Sequence, residues 1–347
     1  MPIKYTINWN KEFYDDIIDV RSPKEFAKDH IPYSKNFPVL NDNEREIIGA
    51  IYKKESPFKA RKLGASLISK NISKILKKNL YEKSGNWKPL LYCWRGGQRS
   101  KSLAVVLSEI GWQIRVLKGG YNTYRKKVLA NINTLVNKNK YIVVSGQTGC
   151  GKSEILKYLG KLGVNIIDLE TLASHKGSLL GKMHDKPQPS QRMFESILYK
   201  DLCKLKSRKK VFIEHESSKI GNLHLPGSIL NKIRISPKIN IAASLDSRIL
   251  FLIKDYKKFI KQDNSFEELF NYAEKKKGKR KVNEWRTLYK QKNWKELAKQ
   301  LIEKYYDPLY THKRINAKNK FIKEYYLRKL TNNELRLLSN AIKKDFE

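Results

Sequence analysis

Residues 146–153 read GQTGCGKS and fit the pattern G-x-x-x-x-G-K-[ST] at every defined position. The apolar residues 141–144 before them predict a buried strand, and residues 154–162 after them predict a helix. In this setting the glycines let backbone N–H groups converge on a phosphate at the positive end of a helix, Lys152 adds charge, and Ser153 can hold Mg²⁺. The sequence therefore predicts a phosphate-binding loop. Its predicted members are Gly146, Gln147, Thr148, Gly149, Cys150, Gly151, Lys152 and Ser153.

The motif specifies the ligand of this loop only in part. A cradle for two linked phosphates fits ATP, GTP or any diphosphate ester, so the motif predicts recognition of a pyrophosphate group. Asp168, Glu214 and Glu216 follow strand-like runs and could assist Mg²⁺ in the manner of a Walker B acid. The alternative for each carboxylate is a solvated or helix-capping side chain at a strand end.

A second loop with a chemical signature begins at Cys93. The apolar residues 89–92 predict a strand, and residues 100–110 carry apolar side chains at helical spacing. Backbone amides, the dipole of the following helix and Arg99 all favour the thiolate, so Cys93 is predicted to be a nucleophile, with Arg99 as its catalytic partner. The remaining predicted members of this anion-binding loop are Trp94, Arg95, Gly96, Gly97, Gln98 and Ser100.

The spacing within this second loop leaves two chemistries open. Five residues separate Cys93 from Arg99, the count that cysteine phosphatases use to surround a phosphate. The loop could therefore hydrolyse phosphate esters through a phosphocysteine, or capture sulfur or selenium on the thiol. Phosphatases usually carry a His just before the Cys, and here that position is Tyr92.

Composition narrows the class of partner. The 347 residues include 72 Lys and Arg against 34 Asp and Glu, which leaves a net charge of +38 and favours a polyanionic partner such as RNA or DNA over a membrane surface. A Lys-rich proteome is the alternative explanation. Three widely spaced cysteines support neither a disulfide framework nor a zinc site. With no apolar leader and no apolar run of about 18 residues, we expect a cytoplasmic protein.

The order of elements indicates an α/β fold with about two domains. Residues 41–83 read as a helical insertion, and the polar residues 133–140 as a linker. After residue 248 the chain reads as helical and basic, with the run KKKGKRK at residues 275–281. This run is interpreted as a surface for a nucleic acid backbone, the alternative being an ordinary solvated face.

Several short stretches resemble known families. DVRSP at 19–23, EF at 25–26 and HIP at 30–32 are similar to the opening of a rhodanese domain. YCWRGGQRS at 92–100 and GGY at 119–121, with Tyr124 and Arg125, resemble the tRNA 2-selenouridine synthase family, in which a rhodanese domain is fused to a P-loop domain. The resemblance extends over roughly residues 15–230, through DLE at 168–170, HKGS at 175–178, QPSQ at 188–191 and EHES at 214–217. Departures are Tyr33-Ser34 in place of Gly-Ala, and Lys176 where Arg is expected.

This resemblance implies a rhodanese-like domain at residues 1–135 and a P-loop NTPase-like domain with a parallel sheet at 139–248. The composition of residues 249–347 adds a basic helical region. It implies that a geranyl group from geranyl diphosphate is placed on the sulfur of wobble 2-thiouridine in tRNA. Selenium from selenophosphate then replaces the geranylated sulfur, with Cys93 carrying the selenium and Arg99 holding the phosphate. The implied co-substrates are selenophosphate and geranyl diphosphate, with no permanently bound cofactor and Mg²⁺ as an optional ion.

The implied partners are tRNA, in preference to DNA or a membrane, and an enzyme that supplies selenophosphate. Two other readings of the sequence remain. One is a cysteine phosphatase fused to a kinase-like P-loop domain, and the other is a non-catalytic RNA-binding module that retains both loops.

Overall fold

The computed structural model describes residues 2–178, 180–182, 186–206, 209–260, 266–308 and 321–346. The chain divides into two compact units. The first comprises Met1–Ile132 with Ser190–Lys200, and the second comprises Asn133–Pro189 with Asp201–Glu347. Both contain parallel sheets flanked by helices, which confirms the α/β prediction.

The first unit is built on a five-stranded parallel sheet with strand order β1-β5-β4-β2-β3. Every residue of β2 and β4 is buried, as expected for central strands that are covered on both faces. The strands are β1 Lys4–Thr6, β2 Asp16–Asp19, β3 Lys35–Asn36, β4 Pro89–Tyr92 and β5 Arg115–Leu117.

The helices of the first unit begin at strong local signals. Before α1, Ser22 and Glu25 form a capping box and Pro23 occupies the first turn. Asn41 and Glu44 form the same motif before α2. These helices are α1 Pro23–Lys28, α2 Asp42–Lys54, α3 Pro57–Ile75, α4 Gln98–Glu109 and α5 Gly120–Lys138, with a 3₁₀ turn at Lys11–Phe13 and a π-helical turn at Leu76–Leu80.

Two expectations for this part of the chain have different outcomes. The helical insertion is present as α2 and α3, joined at Ser56, which caps α3. The polar linker expected at residues 133–140 is instead helical as far as Lys138. Ile132 and Val136 lie four residues apart on one face of α5 and are buried, so packing overrides the loop-like composition.

The second unit contains another five-stranded parallel sheet, with strand order β12-β11-β6-β8-β7, and a two-stranded antiparallel pair, β9 and β10. Its strands are β6 Tyr141–Gly146, β7 Asn165–Ile167, β8 Val211–Glu214, β9 Lys219–Ile220, β10 Leu223–His224, β11 Lys238–Ala243 and β12 Lys323–Leu327. The helices from here to the end of the chain are α6 Lys152–Lys161, α7 Leu169–Ala173, α8 Gln191–Lys204, α9 Gly227–Ile235, α10 Leu245–Asp255, α11 Lys257–Ile260, α12 Glu267–Lys277, α13 Lys279–Lys290, α14 Trp294–Leu301 and α15 Asn332–Phe346, with a π-helical turn at Ile302–Tyr306.

The helical prediction for residues 249–347 needs one correction. Residues 323–327 form strand β12, which pairs in parallel with β11 and extends the sheet. Tyr325 and Tyr326 at its centre favour extended backbone, and the strand gains a partner only through tertiary pairing. Residues 261–265, 309–320 and 347 of this region lie outside the described residues. None of the described helices is long and apolar enough to cross a membrane.

Candidate active site

The loop that begins at Cys93 is shaped by two glycines. Gly96 and Gly120 both adopt positive φ angles, +66° and +57°. A Cβ on Gly120 would lie 2.2 Å from the carbonyl oxygen of Cys93, and one on Gly96 would lie 2.7 Å from that of Leu117. The N–H of Tyr121 donates to the Cys93 carbonyl at 2.8 Å. Residues 119–121 therefore support the loop through backbone contacts and fix the position of Cys93 at the end of strand β4.

The Cys93 thiol lies at the N-terminus of α4 and is 3% exposed as a residue. The Ser100 hydroxyl lies 3.2 Å from Sγ and 3.1 Å from the Gly97 carbonyl oxygen, so its single proton can be donated to either of them. The Gly97 carbonyl oxygen itself lies 3.9 Å from Sγ. A hydroxyl donor and a helix N-terminus both stabilise negative charge on sulfur. The geometry places the Cys93 sulfur where it can act as nucleophile or carrier.

Arg99 is directed toward helix α1. Its Nη1 lies 2.6 Å from Oε2 of Glu25, the residue that also closes the capping box of that helix. Arg99 and Glu25 are both largely buried. Burial alone would raise the pKa of Glu25, but the contact with Arg99 outweighs burial and lowers that pKa. The role of Arg99 in holding a phosphate stays a prediction, since its observed ion pair is with Glu25.

A cleft lies beside this loop, between the helical insertion and the start of α4. Its volume is about 600 Å³, and its lining includes Gln98 and Arg99 from the loop. Arg45, Lys53 and Arg61 of the insertion also line it. The cleft is suited by its charge to a phosphate-bearing ligand that approaches the cysteine loop.

The wall behind Cys93 contains a buried ion pair and aromatic rings. Arg21 bonds Asp19 through Nε and Nη2, the closest contact being 2.6 Å, and both side chains are at most 1% exposed. The guanidinium of Arg21 lies 4.1 Å from the ring centre of Tyr121 and 5.9 Å from that of Trp94. The contacts of Arg21 with Asp19 and with the aromatic rings indicate a structural role for the pair.

Tyr92, which precedes Cys93, is fully buried and engaged elsewhere. Its hydroxyl accepts from the Ile31 N–H at 3.1 Å and bonds the Ser34 hydroxyl at 2.9 Å. Burial raises the pKa of Tyr92 well above its usual value. These contacts tie β4 to the loop after α1, and they make Tyr92 a poor replacement for the histidine of a phosphatase.

The phosphate-binding loop follows β6 and leads into α6, as the sequence predicts. Gly149 and Gly151 adopt φ angles of +80° and +78°. Lys152 Nζ donates to the carbonyl oxygens of Gly146 at 3.0 Å and Gln147 at 3.1 Å, which holds the ammonium over the loop. Cys150 is fully buried with Sγ 2.9 Å from the Gln147 carbonyl, in keeping with a structural role.

Carboxylates gather next to Ser153. Oxygens of Glu170, Glu214 and Glu216 all lie within 4.8 Å of one another. The Ser153 hydroxyl donates to Glu170 Oε2 at 2.6 Å, and Glu214 Oε1 accepts from the Glu170 N–H at 2.7 Å. Glu214 Oε2 is buried and finds no hydrogen-bond donor among the described residues.

The electrostatics of this acidic cluster call for a counter-charge. Burial, with the neighbouring charges of Glu170, Asp168 and Glu216, raises the pKa of Glu214 well above its usual value. Burial also raises the pKa of Glu170, despite the Ser153 bond and the charge of Lys152. An orphaned carboxylate oxygen among three acids and a hydroxyl fits a hard divalent cation that prefers oxygen ligands.

Sequence reasoning placed Asp168 in this cluster and missed Glu170. Asp168 instead caps α7, because its oxygens accept from the N–H of Thr171 at 2.8 Å and from its hydroxyl at 2.7 Å. Gly177, at φ +65°, lies against the cluster, since a Cβ there would be 2.9 Å from Glu216 and 3.0 Å from Glu170. The signal that could have identified Glu170 is its position on the first turn after the capping Asp168.

Three other residues of interest lie within the second unit. Lys176 pairs with Asp255 at 2.8 Å, so its ion pair is within the second unit. His175 is buried, and burial lowers its pKa. Arg248 of α10 donates to the Thr148 carbonyl at 2.8 Å and forms a two-point ion pair with Asp307, the shorter contact being 2.6 Å. Arg248 thus braces the phosphate-binding loop, a role that motif reading did not anticipate.

Comparison with known proteins agrees with this architecture. Residues 139–332 match a family model described as the tRNA 2-selenouridine synthase AAA domain, and residues 6–127 match a rhodanese-like domain. A tRNA 2-selenouridine synthase of Sulfurovum sp. (strain NBC37-1) is 35% identical over 69% of this chain and 65% of its own length. Another of that name, from Shewanella halifaxensis (strain HAW-EB4), is 31% identical over 85% of this chain and 88% of its own length.

A third relative, the tRNA 2-selenouridine synthase of Nitrosomonas europaea, is 34% identical over 69% of this chain and 63% of its own length. For the Sulfurovum and Nitrosomonas relatives the match therefore spans a little under two thirds of their length. The first domain match ends within α5 and the second ends at the start of α15, so together they span both compact units. The chain belongs to the tRNA 2-selenouridine synthase family.

Proposed function

We propose that this protein modifies tRNA by replacing the sulfur of a wobble 2-thiouridine with selenium, in two steps. A geranyl group is first transferred from geranyl diphosphate to the sulfur, and selenium from selenophosphate then displaces the geranylated sulfur. The observation that carries the proposal is the presence of two glycine-shaped anion loops in one chain of this family, one bearing a thiol and the other a lysine. Each loop suits one of the two phosphate-bearing donors.

In the first step, the phosphate-binding loop holds the diphosphate of the geranyl donor. Its backbone N–H groups and Lys152 stabilise the charge that develops on the leaving pyrophosphate. Ser153, Glu170, Glu214 and Glu216 would hold Mg²⁺, which supplies further neutralisation of the diphosphate when it is bound. The bond from the geranyl C1 to oxygen breaks as the bond from C1 to the thiouridine sulfur forms.

In the second step, the basic cleft with Arg99 receives selenophosphate beside the cysteine loop. Attack of its selenium on C2 of the base forms the C–Se bond and breaks the C–S bond, and the sulfur leaves as geranylthiol with the proton of the Cys93 thiol. Water then breaks the P–Se bond, which releases phosphate, returns a proton to Cys93 and leaves selenium on the base. The sulfur becomes a good leaving group only after alkylation, because it can then depart as a thiol. This is why the geranyl step comes first.

The tRNA substrate is proposed from the net charge of +38 and from the names of the relatives. We place the reaction in the cytoplasm, with an enzyme that makes selenophosphate as the supplier. Neither DNA nor a membrane is needed as a partner in this scheme.

The test is mass spectrometry of tRNA nucleosides from cells that produce the wild type or a variant and grow with selenite. We expect selenouridine with the wild type, geranylated thiouridine without selenium for Cys93→Ser, and neither product for Lys152→Ala. Retained affinity of Lys152→Ala for geranyl diphosphate would exclude the assignment of the loop. Release of phosphate from an aryl phosphate by the wild type but not by Cys93→Ser would favour the phosphatase.

A further inference from the structure

The basic cleft beside the cysteine loop is larger than the proposed selenium donor needs. Its volume of about 600 Å³ lies within the range of roughly 300–1,000 Å³ that is typical of small-molecule sites. A tetrahedral anion is only a few times the size of a water molecule, which takes about 30 Å³ of liquid, so selenophosphate beside Arg99 would fill a small part of the cleft. The remainder, between α2 and α3, has room for a second and bulkier group.

Helical spacing directs one face of α2 and one face of α3 toward the cleft. Arg45 and Tyr52 line it from α2 and lie seven residues apart, which is two helical turns. Arg61 and Gly64 line it from α3 and lie three residues apart. A Cβ on Gly64 would lie 3.6 Å from Ile48 Cδ1, so the two helices approach closely at this glycine. The walls of the cleft are therefore two helices that pack against each other.

The positive charge of these walls is not balanced by acidic residues. No acidic side chain lines the cleft, and Arg45, Lys53 and Arg61 form no ion pair with any acidic residue that the structure describes. The neighbouring acidic residues have other partners: Glu44 with Asn71, Glu46 with Lys24 and Glu55 with Lys59. Helix α3 contains no acidic residue. An anionic ligand is therefore attracted to the part of the cleft between α2 and α3, and not only to Arg99.

Tyr52 adds an aromatic surface among these charges. It is 55% exposed and lines the cleft next to Lys53. Its side chain neither stacks on nor bonds any other side chain that the structure describes. Proteins that bind single-stranded nucleic acid combine a positively charged groove with exposed rings, because every nucleotide has a phosphate and every base has a face that can stack. The cleft has both of these features.

We propose that this cleft holds a nucleotide of the single-stranded anticodon loop that flanks the reacting uridine, with its base against Tyr52 and its phosphates beside Lys53 and Arg61. The inference rests on the proposed function, in which the wobble base reaches the cysteine loop. It assigns the positioning of the RNA to the helical insertion, α2 and α3. The end of the cleft at Arg99 is left to the selenium donor.

The test is filter binding of the full chain to a labelled RNA hairpin whose loop carries 2-thiouridine, without either phosphate-bearing donor. Loss of one stacked base weakens binding by about 5- to 100-fold, and we expect a loss in this range for Tyr52→Ala. Tyr52→Phe keeps the ring and should bind as the wild type does. The matched control is Tyr81→Ala, at an 81% exposed tyrosine of the helical insertion that does not line the cleft.

The salt dependence of the same binding tests the charges. Replacing Lys53 and Arg61 by Ser should reduce the slope of log affinity against log salt by about 0.7 for each phosphate that is no longer neutralised. Replacing Lys70 and Lys74 by Ser removes the same charge from exposed positions of α3 outside the cleft, and should leave the slope unchanged. All of the substituted residues are exposed, so we expect every variant to fold, which thermal unfolding checks.

The outcomes separate this inference from the proposed function. Equal affinities of Tyr52→Ala and the wild type, or an equal loss for Tyr81→Ala, overturn the cleft assignment, while selenouridine in cells that produce the wild type still supports the function. Equal weakening by Tyr52→Ala of binding to the hairpin and to its isolated duplex stem also overturns the assignment. Hairpin binding that needs Tyr52, by a protein that forms no selenouridine in cells, supports the cleft as an RNA site and overturns the function.

Discussion

The Ser100 hydroxyl is the side-chain donor closest to the Cys93 sulfur among the described residues, at 3.2 Å. A hydrogen bond to a charged group contributes about 1.5 kcal/mol or more, which corresponds to roughly tenfold in a rate that depends on the thiolate. We therefore expect Ser100→Ala to slow alkylation of Cys93 by iodoacetamide about tenfold near neutral pH. Peptide mass spectrometry over time measures this rate, and the exposed Cys203 of the same chain is the internal control. An unchanged rate at Cys93 would remove Ser100 from the thiol's activation.

Glu214 gives a prediction about pH and stability. Because its pKa is raised, the folded state keeps a proton that the unfolded chain has lost, so stability falls as pH rises from the usual carboxyl range toward the raised value. Glu214→Gln removes this loss and should stabilise the second unit by about 1–3 kcal/mol near neutral pH without Mg²⁺. Thermal unfolding across pH measures the effect.

The same variant tests the cation site. Added Mg²⁺ should raise the melting temperature of the wild type, because binding only to the folded state stabilises it, and should have little effect on Glu214→Gln. Glu303→Gln, a change at an exposed glutamate of the second unit, should respond as the wild type does. Equal responses to Mg²⁺ in all three proteins would mean that the acidic cluster holds no cation.

The acidic cluster also shows what sequence could and could not supply at this scale. The motif at residues 146–153 and Cys93 were located from local patterns, since spacing and flanking elements define them. Local sequence alone could not decide whether Asp168 or Glu170 belongs to the acidic cluster. It depends on Thr171 taking both oxygens of Asp168, and on the fold bringing Glu214 within reach of Glu170.

At the scale of elements, the support of the cysteine loop by residues 119–121 predicts a sharp sensitivity at Gly120. Alanine there would bring a Cβ 2.2 Å from the Cys93 carbonyl, at φ +57°. We expect Gly120→Ala to destabilise the first unit by at least about 2 kcal/mol and to alter alkylation of Cys93. Urea unfolding measures the first effect. Gly85→Ala, where a Cβ would meet nothing within 4 Å, should be nearly neutral, and equal stability of the two variants would contradict the support role.

The sequence analysis missed the helices and strands whose formation depends on partners far away along the chain. Strand β12 lies far along the chain from β11, yet its register, with Ile241 opposite Tyr325, is set by pairing in the sheet. Continuation of α5 through residues 133–138 depends on burial of Ile132 and Val136. By contrast, the starts of α1 and α2 were marked by capping residues close in sequence, and such signals can be read without tertiary information.

At the scale of the whole molecule, one segment belongs to a different unit from the residues before and after it in the chain. Residues 190–200, within the region expected to be a P-loop domain, group with the first unit. Ser196 donates to Asp29 at 3.2 Å, and Arg125 forms an ion pair with Glu195. Composition gave the approximate number of domains, but it carries no information on which unit a single helix joins.

The net charge leads to the last prediction, which concerns the basic run at residues 275–281. The run spans the turn between α12 and α13, and Lys275, Lys276, Lys277 and Lys279 in it are exposed. If these lysines bind phosphates of tRNA, replacing all four by Ser should weaken tRNA binding. It should also reduce the slope of log affinity against log salt by about 0.7–0.9 for each phosphate that is no longer neutralised.

A matched variant distinguishes this local binding from charge alone. Lys70, Lys74, Lys77 and Lys78 are exposed lysines of the helical insertion, and their replacement by Ser changes the net charge by the same amount. We expect the affinity and the salt slope of this control to stay closer to those of the wild type, measured by filter binding at several salt concentrations. Equal reductions in affinity for both variants would show that the excess of lysine attracts tRNA as a diffuse field, and the run at residues 275–281 would then have no special place in recognition.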